Sequence, residues 1–352
     1  MRATLRLGAV ISGRPRCGGR STPPDPGPAS RGCLAPGRRR GQAGRADHQG
    51  GASVAITTAG AAAQLSARPY AAGDQDTVLA LVEADRLPGQ PEATPAMLAE
   101  ALAGRLPVHG GWWAELNQPR TDVIHDPSGR VRGVVSYATR PGDGAGLILW
   151  LHTEEEDQAV AEALVGHALG QLGPRTVHAF EFACALTLGL EGLPVCNRPA
   201  TRRALEATGF TGRDLWRYIH RGLLGVPNVA DARVYRIADV TECADPPGWQ
   251  LDLRETDGTL VGEATLGRPV DGTGVLWWIS TDPAHRGRGL GRRLLRQCLA
   301  HLAAEGAREV IAYVDDDAPP GNLERDRLAA NRLYDSMGFT ELDRLWSFTR
   351  RP

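Results

Sequence analysis

Lysine is missing from this sequence: all 40 basic residues are arginine. That absence excludes chemistry. A Walker-type phosphate loop, the strand lysine of a protein-kinase ATP site and a pyridoxal Schiff base each need a lysine amine. Long apolar runs are also absent, and no stretch approaches the ~18 residues of a membrane span. Six cysteines (Cys17, Cys33, Cys184, Cys196, Cys243 and Cys298) are scattered without a CxxC pair. They read as reduced thiols in a cytoplasmic protein, neither a disulfide framework nor a zinc site, and no metal is expected.

What is present is ordinary for a globular chain: 352 residues, 42% hydrophobic and 23% charged, with a formal net charge of −1. The length favours two domains over one. The neutrality hides an asymmetry. Residues 1–50 hold ten arginines against Asp25 and Asp47, a net of +8, so the remainder carries −9. A mildly acidic body suits a cationic or amine-bearing ligand. Residues 1–62 are rich in Gly, Pro, Arg, Ala and Ser without apolar period, and read as a disordered basic leader. A nucleic-acid arm is the functional alternative for that stretch, but nucleic acid is not expected as a partner. An export signal would need a continuous apolar core that is lacking. A start codon placed too far upstream, with Val54 as a later start, is the other plain reading.

Order is expected from about Leu65. Strand-like and amphipathic segments alternate from there, which points to an α/β (α+β) fold. The sequence then repeats itself. His125–Gly133 parallels Arg254–Gly262; the turn Arg140–Gly146 parallels Arg268–Gly274; Leu147–Thr153 parallels Val275–Thr281; and Ala204–Phe210 parallels Leu333–Phe339. The offset of these four matches is 128 to 129 residues, and each copy then reaches a strand centred on a tryptophan, Trp216 or Trp346. Four matches in order indicate a duplication. The expected organisation is a first copy at 63–222, a linker at 223–231 containing Gly225, Pro227 and Asn228, and a second copy at 232–352.

The second copy carries the chemical signal. Gly274–Thr281 is apolar, β-branched and aromatic, as a buried strand should be. Asp282-Pro283 ends it, and His285-Arg-Gly-Arg-Gly-Leu-Gly291 leads into a helix whose Leu290, Leu294, Leu295, Cys298, Leu299 and Leu302 share one face. Gly306 is its expected cap, and Arg308–Val314 the next strand. A strand, a glycine-rich turn and a helix N-terminus together form an anion site. The first helical amides have no partner within the helix, the dipole adds positive charge, and glycine lets a phosphate approach the backbone. Arg286, Arg288 and Arg292 add charge beside it.

Arg286-x-x-Gly289-x-Gly291 resembles the (Gln/Arg)-x-x-Gly-x-(Gly/Ala) signature of the GNAT acetyltransferase superfamily. Asn331-Arg-Leu-Tyr334-Asp-Ser-Met-Gly338-Phe339 is similar to its last helix and following strand. The resemblance covers about 232–352 well and 63–222 more faintly. It implies two tandem GNAT-like domains, each a mixed, mainly antiparallel sheet flanked by helices. It also implies acetyl-CoA as co-substrate, its pyrophosphate on Arg286, Gly287, Arg288, Gly289, Leu290, Gly291 and Arg292, its pantetheine on Ile279, Ser280 and Thr281, with Asn331 nearby. Tyr334 matches the residue that protonates the departing thiolate. Many relatives carry an asparagine seven residues before that tyrosine, where this chain has Arg327. Asn331 and Asn322 are the nearby substitutes.

Residue types alone leave the general base open among Glu263, Asp282, the Asp315-Asp316-Asp317 run and a water chain. The implied acceptor is a small-molecule or peptide amine. Tandem halves with one degenerate copy also resemble mycothiol synthase, whose acceptor is the cysteinyl amine of a thiol conjugate. A non-catalytic acyl-CoA-binding protein is the alternative from another class, and retention of Tyr334 argues against it. The first copy has Glu154-Glu-Glu-Asp157 where the second has its phosphate turn, and Leu205 where the second has Tyr334. It is not expected to catalyse. Only a short segment, Thr241–Gly248, separates the first two strands of the second copy, where GNAT domains place two helices; the first copy keeps Ala71–Arg105 there. The first copy is therefore expected to cover a face the second leaves bare, or to supply part of the acceptor pocket.

Overall fold

A computed structural model describes residues 65–106, 110–224, 238–244, 246–315 and 328–352. The basic leader, Asn322, Arg327, Asp316 and Asp317 lie outside the described residues, as do most of the linker and the side chain of Asp315. The first repeat runs β1 (Ser66–Pro69), α1 (Gln75–Ala84), α2 (Pro95–Leu102), α3 (Gly110–Trp113), β2 (Arg120–His125), β3 (Val131–Arg140), β4 (Ala145–Thr153), α4 (Gln158–Leu172), β5 (Val177–Ala179), β6 (Leu193–Pro194), α5 (Pro199–Ala207) and β7 (Thr211–Gly222). The second runs β8 (Asp239–Ala244), β9 (Pro247–Arg254), β10 (Leu260–Val270), β11 (Thr273–Thr281), α6 (Leu290–Ala304), β12 (Glu309–Asp315), α7 (Leu328–Ser336) and β13 (Thr340–Arg350). Among the described residues the two repeats share their order of elements, apart from the helices between the first two strands and the short β6, which the first repeat alone carries.

Among the described residues one sheet contains every strand, in the order β1-β2-β3-β4-β5-β13-β7-β12-β11-β10-β9-β8, with β6 on β13, and only β4·β5 and β11·β12 are parallel. The terminal strands are exchanged. The last strand of the first repeat, β7, lies against β12 of the second, and β13 lies against β5 of the first. The two exchanged strands pair with each other along nine residue pairs, from Thr340↔His220 to Thr349↔Thr211.

Apolar periodicity sets the packing. Leu290, Leu294, Leu295, Cys298, Leu299 and Leu302 of α6 are all buried against β10 and β11, at about 1.5–3 kcal/mol for each large side chain withdrawn from water. The helix can lie this close because Gly274 carries no side chain: a Cβ there would stand 2.9 Å from Leu302 Cδ2. The opposite face of the second repeat's sheet is covered by the first repeat. Leu87 joins Tyr218, Val275, Trp277, Ile311 and Leu345 in one buried cluster, with Leu188 and Leu190 packed on it. Gln90 locks the cover in place. Its amide nitrogen donates to the Tyr218 and Tyr313 hydroxyls at 3.1 and 3.3 Å, and its oxygen accepts from the Leu188 amide at 2.8 Å.

Cys184 and Cys298 are free, buried thiols. Cys196 departs from the expectation of reduced thiols throughout: it is disulfide-bonded. Among the described residues no helix is long and apolar enough to cross a membrane.

Candidate active site

The site begins where two parallel strands part. β11 pairs with β12 only over Thr273–Leu276. Beyond that point β11 continues to Thr281 with no ladder on that side among the described residues, which leaves the backbone of Ile279, Ser280 and Thr281 there available to a ligand. Ile279, Ser280 and Thr281 line a cavity of about 580 Å³ there. The turn after β11 forms its floor, and Ala329, Ala330, Arg332, Leu333, Tyr334 and Ser336 of α7 form the facing wall.

The turn is built to leave amides bare. Asp282 caps a single 3-10 turn at Pro283–His285, accepting from the Ala284 amide at 2.8 Å. Gly287 and Gly289 then adopt φ of +77° and +75°, a region costly to any residue with a Cβ. Gly289 is the N-cap of α6 and, having no side chain, bonds none of the first helical amides. No described residue lies within 4 Å of where a Cβ would stand on Gly287 or Gly289, whereas one on Gly291 would meet Leu333 Cδ2 at 3.3 Å. Uncapped amides and open space above them coincide.

The arginines of the turn divide. Arg286 lines the cavity, and its Nη2 is enclosed with no hydrogen-bond partner among the described residues. Arg292 also lines it but reaches across to α7, donating to Ser336 Oγ at 2.6 Å. Arg288 is exposed and outside the lining.

Tyr334 lies at the inner end of the wall, 3% exposed, with its ring edge-on to Phe339 at 5.3 Å. Burial pushes its phenol well above the ordinary tyrosine range, with the Cys298 thiol adding a smaller push in the same direction. The hydroxyl therefore keeps its proton at neutral pH.

The remaining sequence-derived candidates are placed unequally. Asn331 is not in the lining; its Oδ1 accepts from Arg217 Nη1 at 2.5 Å. Asp282 is exposed and occupied as a cap, and the hydrogen bond with His285 Nδ1 at 3.1 Å, together with the Ala284 amide, holds its carboxyl below the usual range. Glu263 stands opposite Ser280 in the β10·β11 ladder, and Ser280 Oγ donates to its Oε1 at 3.2 Å. Since Ser280 lines the cavity, Glu263 is one side chain away from it.

Arg217 carries structure that residue types alone did not reveal. It lies in β7 of the first repeat, is 9% exposed, and contacts Asn331 and Asp335 on α7 and Glu341 on β13. The first repeat thus holds the helix that presents Tyr334. The signal that could have found it is Trp216, which with Trp346 marks the terminal strands of the two copies; the exchange of those strands was not legible.

Similarity to known proteins identifies the family. The family model described as Acetyltransferase (GNAT) family matches residues 227–339. A mycothiol acetyltransferase of Nocardioides sp. is 37% identical over 304 residues, covering 71% of this chain and 93% of that protein. Another, from Thermobispora bispora, is 39% identical over 102 residues, and there the match spans only 31% of the relative's length. Among solved structures, a tandem GNAT protein from the clavulanic acid biosynthesis pathway aligns with a TM-score of 0.54 at 18% identity, covering 81% of this chain and 98% of that one. A GCN5-related N-acetyltransferase from Sphaerobacter thermophilus aligns at 0.52 and 16%, covering 82% and 96%. These two share the fold. With a relative matched over nearly its full length and a two-copy architecture of the same kind, the chain belongs to the GNAT family of acetyltransferases, in a tandem form.

Proposed function

We propose that the second repeat transfers the acetyl group of acetyl-CoA to the primary amine of a small molecule. The observation that carries this reading is the open, uncapped turn at Arg286–Gly291, facing a buried protonated tyrosine across one cavity. The residues present fit a diphosphate. Among the described residues, the turn has bare amides, two left-handed glycines with free space above them and an enclosed guanidinium nitrogen without a partner. They supply the donors and the positive charge such an anion needs. The pantetheine arm would run along the unpaired edge of Ile279, Ser280 and Thr281, where a backbone N–H can also hold the thioester oxygen as it gains charge.

In this reading the amine nitrogen attacks the thioester carbon, the C–S bond breaks, and the Tyr334 hydroxyl gives its proton to the departing sulfur. The ammonium proton must leave before attack, because an alkylamine is protonated at neutral pH. Glu263, acting through Ser280 Oγ or a water, is the base we favour over Asp282, whose carboxylate is committed to its turn. Asn331 then acts from outside the cavity, by fixing α7 to Arg217.

The acceptor most strongly supported is a mycothiol-type one, a cysteinyl amine on a thiol conjugate. Support comes from the Nocardioides relative, matched over 93% of its length. A screen of such conjugates beside simple amines, reading CoA release, tests the assignment. With the acceptor found, Tyr334→Phe should lower the chemical step by about 100-fold while leaving the dissociation constant for acetyl-CoA near its original value. Unchanged turnover would remove Tyr334 from the reaction. CoA binding without turnover across the whole panel would instead favour a non-catalytic acyl-CoA-binding protein.

A further inference from the structure

The helix that presents Tyr334 has little apolar packing of its own. α7 is nine residues long, and Tyr334 is its only buried side chain. Ala330 and Leu333 are half-buried against the core, while Leu328, Ala329, Arg332, Asp335 and Ser336 are exposed. A helix shorter than about 12 residues is marginal in water without tertiary packing. Something besides apolar burial must set where α7 sits.

Arginines from other elements supply it. Arg217 of β7, in the first repeat, uses all three of its guanidinium nitrogens on the second repeat. Nη1 donates to Asn331 Oδ1 at 2.5 Å, Nη2 to Asp335 Oδ1 at 3.2 Å and Nε to Glu341 Oε2 at 2.5 Å. Asn331 and Asp335 are neighbours on the surface of one helical turn, so a single planar fork spans them. Arg221 lies four positions along the same strand and projects from the same face. Its Nη1 donates to the Met337 carbonyl, just past the end of α7, where helix carbonyls lack partners within the helix. From the other side Arg292 of α6 adds neutral contacts, with Ser336 Oγ at 2.6 Å and Met337 Sδ at 3.6 Å.

We infer that Arg217, assisted by Arg221, is a positioning residue for acetyl transfer: a guanidinium supplied by the first repeat that sets where Tyr334 stands in the second repeat's cavity. This assignment rests on the acetyl-transfer reading and deepens it, giving a share in the chemical step to the repeat that has no phosphate turn. Asn331 and Asp335 bracket Tyr334 in the chain, so a shift of either carries the phenol with it, and a displaced proton donor loses much of its effect. Neither arginine lines the cavity. Their loss should therefore act on turnover and spare CoA binding.

Arg217→Met keeps the stem and removes every donor. Asp335 is exposed and Glu341 keeps Arg344 Nε at 2.8 Å, so no buried carboxylate is left alone and the fold should hold. In the full chain labelled with ¹³Cζ-tyrosine, the Tyr334 signal is assigned by its loss in Tyr334→Phe. Arg217→Met should move that signal while those of Tyr70 and Tyr137, in the first repeat, stay in place. With the best acceptor of the conjugate and amine screen, kcat should fall about 30-fold, and the dissociation constant of acetyl-CoA should stay within about two-fold of its original value. Arg217→Lys, which keeps the charge without the fork, should recover part of the loss. In a Tyr334→Phe background, Arg217→Met should cost less than about three-fold more, because both changes remove one contribution. The inference is overturned if Arg217→Met leaves the Tyr334 signal unmoved, if CoA binding falls in step with turnover, or if the effects of the two substitutions multiply. No turnover by the unaltered chain across the screen would count against the acetyl-transfer reading instead, and the tyrosine signal would still decide whether Arg217 places Tyr334.

Discussion

The two copies of one turn, after β4 and after β11, have reached opposite solutions to the same problem. In the second repeat the left-handed backbone positions fall on Gly287 and Gly289, and the space above them is open. In the first, positive φ falls on Glu155 and Glu156, at +53° and +52°, which costs roughly 1–2 kcal/mol each. That cost is offset by what Glu156 reaches. Its carboxylate accepts from Arg198 Nε at 2.5 Å, from the Ala200 and Thr201 amides at 3.0 Å, and from Thr201 Oγ1 at 2.7 Å. The first repeat has supplied its own anion and seated it on the N-terminus of α5. Glu154 pairs with Arg130 and Arg132, and Asp157 caps α4 through the Ala159 and Val160 amides. A phosphate would meet three carboxylates already at work. A turn whose charges are satisfied internally becomes structure; one left unsatisfied remains available to a ligand.

That contrast can be broken deliberately. Arg286→Glu would give the second turn the charge of the first. It should weaken CoA binding on the order of 100-fold, measured by calorimetry, and leave thermal stability nearly unchanged. An affinity within a few-fold of the original would mean that the turn does not hold the phosphates. Glu156→Ala removes the internal anion and leaves buried Arg198 short of a partner. Urea unfolding should report a loss of about 3 kcal/mol, with CoA affinity unaffected. A loss of CoA binding in that variant would instead bring the first repeat into the co-substrate site. Asp282→Asn should have the smallest effect, because asparagine caps a turn about as well as aspartate. Turnover should stay within about two-fold. A collapse of activity with normal CoA binding would identify Asp282 as the base after all.

Much of this was legible in the sequence, because it rests on local pattern. The strand, the turn and the buried face of α6 follow from apolar spacing and from glycines where positive φ is needed, and the duplication is visible as a constant offset. The acidic turn of the first copy was legible as charge, but its partners were not. Position in the sequence sets these carboxylates at the start of α4, whereas Glu156 reaches α5. What escaped was long-range. Nothing in Thr211–Gly222 or Thr340–Arg350 says which repeat's sheet each strand will close, so the grip of Arg217 on Asn331 and Asp335 could not be foreseen. The covered face could be anticipated from the missing helices between β8 and β9. That a single glutamine, Gln90, would bridge Tyr218 and Tyr313 could not.

The most direct test is a titration of the full chain with CoA beside Gly289→Val. The substitution puts a β-branched side chain at φ +75°, where the bare amides begin, and it should reduce CoA affinity by at least about 100-fold while circular dichroism shows the fold retained. Equal affinity in the two proteins, or no binding by the unaltered chain, would contradict the claim that this turn receives the co-substrate.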